Sequence, residues 1–289
     1  MNDNILVSIA IPMFNAEKFL KFTLNSILNQ SHTNFELIIT DDGSTDKSVE
    51  IVKSFNDSRI KLYVDGLNKG ISYRLNQQID LVKGKYFIRM DADDIMFSNR
   101  LEKQIDFLEN NPDVDVVGSS AVIIGDLNEV IGFRLAQIPP SYEDALKTIT
   151  FIHPTVAGKT EWFKKYKYDE ELIGAEDFDL WLRSRENSVF KIIEEPLLFY
   201  RDPLKFKLKT YLFRLKQQRK IFRKNPYLTN HPFKQKKMIL TSYLKSNLAL
   251  LINTVGLDNY YIARRNKTLA GNISLQDYND PLLKSLAKK

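Results

Sequence analysis

The chain has 289 residues, 43% of them hydrophobic, which is enough for a packed core in about two domains or one large one. It has no cysteine, which excludes disulfides and thiolate metal sites and agrees with a reducing compartment. The net charge of +6 hides a division: residues 1–200 carry 22 Lys+Arg against 32 Asp+Glu (−10), and Arg201 to Lys289 carry 20 against 4 (+16). Such asymmetry predicts a boundary near residue 200 and, beyond it, a basic region suited to an anionic surface.

In chain order, the opening run ILVSIAIPMF lacks a basic flank and a cleavage site and follows the acidic Asp3, so it reads as a first strand and not as a signal peptide. No apolar run approaches the roughly 18 to 20 residues that span a bilayer; SNLALLINTVGL (246–257) is among the longest. The strands LVSIAIP, FELIIT, IKLYV and KYFIRM alternate with amphipathic stretches. AEKFLKFTLNSILNQ gathers Leu20, Leu24, Ile27 and Leu28 on one helical face, and ISYRLNQQIDLVKG gathers Ile71, Leu75, Ile79 and Val82. Ser44 and Thr45 are suitable caps for a helix in STDKSVEIVKSF, and Ser98 for SNRLEKQIDFLEN, which Pro112 follows. This alternation predicts βαβ units around a mixed, mostly parallel, Rossmann-like α/β sheet flanked by helices.

In such sheets ligands bind beyond the carboxyl ends of the strands. TDDGSTD (40–46) follows one strand and DADD (91–94) another, so both acidic groups fall at the same edge. Two carboxylates about 5 Å apart repel by roughly 3 kcal/mol at an effective dielectric of about 20, so something must solvate, protonate or neutralise the second group. Alternation lets Asp91 and Asp93 point the same way, where a hard divalent cation would cancel the repulsion. The other reading of DADD is a solvated turn before the helix at Ser98. Asp42 and Gly43 suit a common turn, or a carboxylate that accepts hydrogen bonds from a nucleotide. In GAEDFDLWLR (174–183), Leu180, Trp181 and Leu182 predict a buried helix with Glu176 and Asp177 near its start, either as partners of the helix dipole or as a proton acceptor.

Taken together, VSIAIPMFN (7–15), NFELIITDDGSTD (34–46), NKGISYRLN (68–76), YFIRMDADDIMFSNRLEKQ (86–104) and AEDFDLWLR (175–183) resemble glycosyltransferase family 2, inverting enzymes of the GT-A fold, over about residues 5–200. The resemblance implies a catalytic domain over 1–200, with a nucleotide-sugar half to about 110 and an acceptor half from 111. Pro12 and Asn15 would line the base pocket, Asp42 with Asp41 beside it would contact the base, and Arg74 would lie near the phosphates. Asp91 would face the ribose or sugar, and Asp93 would bind Mg²⁺ or Mn²⁺ at the diphosphate. Asp177 would be the base, with Glu176 contacting the acceptor or donor sugar. An aspartate of pKa near 4 cannot ionise an alcohol beforehand, so proton transfer would accompany attack in a single inverting displacement.

One feature departs from the family pattern. Many members place a histidine two residues beyond the arginine of a Tyr-Arg segment, where it helps hold the metal; here the chain reads YRDP, with Arg201, Asp202 and Pro203. Asp202 could substitute, His153 could approach from FIHPT, or the metal could rely on Asp93, diphosphate and water. His153 reads equally as a buried or turn histidine. TEWFKKYKYDEELIG (160–174) is expected as a flexible acceptor loop.

Beyond residue 200, Leu204, Leu208, Tyr211, Leu212, Leu215 and Phe222 share a helical stripe among lysines and arginines. This helical basic extension would either pack on the catalytic domain or hold residues 204–224 against an anionic membrane; no nucleic-acid-binding signature accompanies it. The combined expectation is a metal-dependent inverting glycosyltransferase, cytoplasmic or peripheral at the inner face of the plasma membrane. It would use a UDP or dTDP sugar and a saccharide or lipid-linked saccharide acceptor in surface polysaccharide or glycolipid assembly. The rival is a non-catalytic GT-A scaffold that binds nucleotide or polysaccharide, against which the joint presence of Asp42, Asp93 and Asp177 argues.

Overall fold

The computed structural model describes residues 4–202, 207–254 and 278–286. Four strands of the first half, β1 (Val7–Met13), β2 (Phe35–Asp41), β3 (Ile60–Val64) and β4 (Tyr86–Arg89), pair in parallel in the order β3-β2-β1-β4. They are joined through α1 (Leu20–Leu28), α2 (Ser48–Lys53) and α3 (Ile71–Leu81). β2 is buried along its whole length and β1 along nearly all of it, as an apolar run covered on both faces should be.

The second half extends the sheet with mixed polarity. It contains β5 (Ile95–Met96), α4 (Arg100–Asn110), β6 (Val116–Ile124), β7 (Val130–Arg134), α5 (Tyr142–Ala145), β8 (Ala157–Lys159), α6 (Thr160–Tyr166), α7 (Glu176–Ser184) and β9 (Phe190–Arg201). β8 lies antiparallel between β4 and β6, β9 runs parallel to β6, and β5 and β7 pair antiparallel with β9 and β6.

The two faces of the sheet carry separate cores. Ile9, Ile11, Leu37, Ile39 and Ile88 face α1 and α4, whereas Ala10, Ile38 and Phe87 face Leu75 and Ile79 of α3, Trp162 of α6 and Trp181 of α7. Strand alternation therefore puts Arg89, two residues from Phe87, on the α7 side.

Three local expectations change. The segment 160–174 opens as a helix and not as a loop, because Trp162 and Phe163 are buried in the second core and Trp162 stacks with Trp181 at 5.9 Å. α2 begins at Ser48, where the Asp46 carboxylate accepts the Ser48 amide at 2.9 Å; Ser44 instead accepts the Asn15 amide at 3.0 Å. α4 is preceded by Asn99, and no side chain caps it.

The basic region continues as α8 (Leu208–Lys224), α9 (Pro226–Thr229) and α10 (Pro232–Thr254), with a last helix at Asn279–Leu286. Ile221, Phe222 and Leu228 share a core with Leu146, Leu172, Phe178 and Leu182, and Leu282 packs with Val122 and Phe199 of the sheet. The change of charge at residue 200 therefore does not interrupt the packing. Of the stripe that could pack on the catalytic domain or meet lipid, Leu215 and Phe222 are buried, Leu208, Tyr211 and Leu212 are half-buried, and Leu204 lies outside the described residues. Among the described residues no helix is long and apolar enough to cross a membrane.

Candidate active site

The loops at the carboxyl edge of β1, β2 and β4 enclose a cleft of about 450 Å³ that brings together Pro12, Asn15, Asp42, Arg74, Asp91 and Asp93. Asn15 holds one wall. Its backbone is left-handed (φ 47°), and its side-chain oxygen accepts the Thr45 amide at 2.8 Å, which ties the loop after β1 to the DDGST turn. That turn needs Gly43, at φ 78°, because a Cβ there would sit 3.1 Å from the backbone nitrogen of Asn68. Asp41 is not among the residues that line the cleft, and it accepts the amides of Gly43 and Ser44 at 3.2 and 3.1 Å.

Asp42 is the organised carboxylate of this half. Its oxygens accept the amides of Lys69 at 2.7 Å and Gly70 at 3.1 Å, and the Nε of Arg74 at 3.0 Å. Arg74 lines the same cleft. Its guanidinium is buried, and all its N–H donors are used within the fold: Asp42, both oxygens of Asp65, Gln77 and the Leu67 carbonyl take them. In this structure Arg74 braces Asp42. On the β1 side the cleft is also lined by Lys18, which forms an exposed ion pair with Asp126 at 2.8 Å.

Asp91, Asp93 and Asp94 each present a carboxylate oxygen within 4.8 Å of the others. Burial, then the charge of Asp91, pushes Asp93 up to about 6; burial and both neighbours also raise Asp94. Asp94 is fully buried, with one oxygen accepting the Arg201 amide at 2.7 Å and the other lacking a partner among the described residues. Arg201 also donates from Nε to the Asp93 carbonyl at 2.9 Å and lies over the Phe19 ring at 3.9 Å. Three carboxylates gathered as hard oxygen donors fit a small divalent cation, with Asp91 and Asp93 half-exposed toward the cleft.

Glu176 and Asp177 open α7 with Asp179 in the same first turn, where the helix dipole favours negative charge. Burial, then Asp177, pushes Glu176 up to about 7, and one of its oxygens is buried without a partner among the described residues. Burial also raises Asp177, against the opposing pull of the Phe178 amide and of the cations Arg89 and Arg214. Neither residue lines the cleft.

The connection between the two carboxylate groups is Arg89, which the sequence reading did not single out. It is buried and paired with Asp91 at 2.6 Å, its Nε and Nη1 have no partner among the described residues, and its charge acts on both Glu176 and Asp177. The available signal was an arginine inside a buried strand, two residues before an aspartate cluster. His153 and Asp202 are used elsewhere. His153 is buried, bonded to the Tyr168 hydroxyl at 2.9 Å, with its pKa lowered by burial and by Arg89; Asp202 pairs with Arg134 at 2.5 Å.

Comparison with known proteins agrees with this architecture. The family model described as "Glycosyl transferase family 2" matches residues 8–171. An uncharacterized glycosyltransferase of Methanocaldococcus jannaschii is 35% identical over 228 residues, 75% of this chain and 77% of that protein. The UDP-Glc:alpha-D-GlcNAc-diphosphoundecaprenol beta-1,3-glucosyltransferase WfgD of Escherichia coli is 31% identical over 180 residues, 62% of this chain and 70% of its own. Among solved structures, the mannosyltransferase PcManGT of Pyrobaculum calidifontis, in complex with GDP-Man and Mn²⁺, superposes with a TM-score of 0.59 at 15% identity, covering 96% of this chain and 84% of that one. The fold is GT-A, an α/β mixed sheet flanked by helices. The chain belongs to glycosyltransferase family 2 and is a glycosyltransferase.

Proposed function

We propose that this glycosyltransferase moves a sugar from a UDP- or dTDP-linked donor to an acceptor hydroxyl by a single inverting displacement, with Asp177 as the base. The observation that carries the reading is Arg89. One buried guanidinium pairs with Asp91 in the cleft and acts on Glu176 and Asp177 at α7, so donor carboxylates and candidate base share one electrostatic neighbourhood. Asp42, fixed by two amides and by Arg74, suits the donor groups of a nucleobase, and Phe14, 51% exposed in the cleft, offers an aromatic face beside it. Asp91 faces the ribose or sugar.

Asp93, with Asp91 beside it, would hold Mg²⁺ or Mn²⁺, which supplies positive charge to the departing diphosphate. Asp177 takes the acceptor proton as the acceptor oxygen bonds to the anomeric carbon and the bond to the nucleoside diphosphate breaks on the opposite face. Glu176 positions the acceptor or the donor sugar. The Escherichia coli relative, named for UDP-Glc and a diphosphoundecaprenol-linked GlcNAc, supports a lipid-linked saccharide acceptor and a place at the inner face of the plasma membrane in surface-glycan assembly. The test is Asp177→Asn. Transfer should fall by about 10²- to 10⁴-fold while UDP binding with Mn²⁺ persists; unchanged turnover would remove Asp177 as base.

A further inference from the structure

α10 is built inside out. Its buried residues are Ser242, Ser246 and Ala249, and the two serine hydroxyls accept hydrogen bonds from the Arg219 guanidinium of α8 at 3.1 Å each. Its outward side carries Phe233, Leu240, Leu244, Leu248 and Leu251, which are 82, 60, 59, 56 and 60% exposed. Spacings of seven, four, four and three residues put these five side chains on one stripe of an α-helix. A helix that packs on a body surrounded by water turns its apolar stripe inward and its serines outward. Single exposed leucines are ordinary, but a continuous stripe marks a surface that meets something apolar.

The charges on the same helix identify the partner. Pro232–Thr254 contains Lys234, Lys236, Lys237 and Lys245 and no aspartate or glutamate. Lys234 is engaged by Glu143 and Tyr227, whereas Lys236, Lys237 and Lys245 are exposed. By helical spacing Lys236 and Lys245 flank the stripe on opposite sides and Lys237 lies within it. The region from Arg201 onward adds a balance of +16. A second copy of the chain would bring the same cations to the contact. An anionic bilayer instead complements both features, taking the apolar side chains at the headgroup and acyl boundary while the lysines reach the lipid phosphates.

We propose that α10 seats this enzyme on membranes containing anionic phospholipid, lying in the interface plane with the stripe from Phe233 to Leu251 inserted. The seat is α10 and not α8, whose Leu215, Ile221 and Phe222 are buried within the protein.

The experiment is flotation of the full chain with vesicles of phosphatidylcholine alone and of phosphatidylcholine mixed with phosphatidylglycerol. The wild type should float with the mixed vesicles, at least roughly tenfold more than with the neutral ones. Leu244→Glu with Leu248→Glu should abolish flotation, while the thermal shift with UDP and Mn²⁺ stays at the wild-type value. Replacing Lys236, Lys237 and Lys245 together by Gln should remove the preference for phosphatidylglycerol but not the folded state. A wild type that stays with neither vesicle, or a double glutamate variant that floats as well as the wild type, overturns the proposal. So does a wild-type dimer by light scattering that the same double variant dissolves, since the stripe would then belong to a second copy.

Discussion

The Arg89 guanidinium sits 2.6 Å from the Asp91 carboxylate, and it also opposes the protonation of Asp177, at the start of a different element. Arg89 therefore couples the cleft aspartates electrostatically to the carboxylates that open α7. Arg89→Gln should raise the Asp177 pKa further and move the acidic limb of kcat/KM to higher pH; Arg89→Lys, which keeps the charge, should leave the limb near its wild-type position. A loss of activity equal at every pH in both variants would mean that Arg89 acts only through packing.

The brace between Arg74 and Asp42 is buried, with the two side chains 1% and 10% exposed. Removing one partner of such a pair leaves an uncompensated charge, so Arg74→Gln should destabilise the fold by about 3 kcal/mol in urea unfolding. Asp42→Asn should raise KM for the nucleotide sugar with a smaller effect on kcat. A double-mutant cycle in which the two stability changes add within about 0.5 kcal/mol would show that the pair is not coupled.

What was legible in the sequence, and what was not, follows from the physics of each element. The βα units of the first half could be read because apolar residues at periods of 2 and 3.6 leave few alternatives, and the acidic turns were found because strand order sends them to one edge. Arg89 was hidden because an arginine in a strand is ordinarily a surface residue; its burial depends on Asp91 and on the distant α7. Residues 160–174 looked like a loop because their lysines and acids obscure Trp162 and Phe163, which only the aromatic cluster around Trp181 and Phe190 explains. Arg74 was readable as a basic residue near the site, but its partner Asp65 lies nine residues earlier with no periodic signal to join them.

The DDGST turn makes a geometric prediction. Gly43 is left-handed at φ 78°, and an added Cβ would meet the backbone of Leu67 and Asn68 at 3.1 Å. Those atoms belong to the segment whose next amides, from Lys69 and Gly70, hold Asp42. Gly43→Ala should cost about 1 to 3 kcal/mol and weaken donor binding more than it lowers kcat, because the shift is passed directly to the Asp42 carboxylate. Isothermal titration with UDP and Mn²⁺ would check it; unaltered affinity would show that the turn absorbs the strain without moving Asp42.

Glu176 connects the site to stability. Burial, then the Asp177 charge, raises its pKa from 4.5 to about 7, so between those values the folded chain keeps a proton that the unfolded chain gives up. Its contribution is accordingly full below about 4.5 and is lost as pH rises through about 7. Glu176→Gln does not titrate. The variant should therefore gain on the wild type between pH 5 and pH 8, by on the order of 2 kcal/mol in urea unfolding. Parallel curves for the two proteins would place the retained proton elsewhere. If the gain is found, the glutamate is held in the fold at a cost to stability near neutral pH, which is what a residue kept for substrate contact would show and a structural helix cap would not.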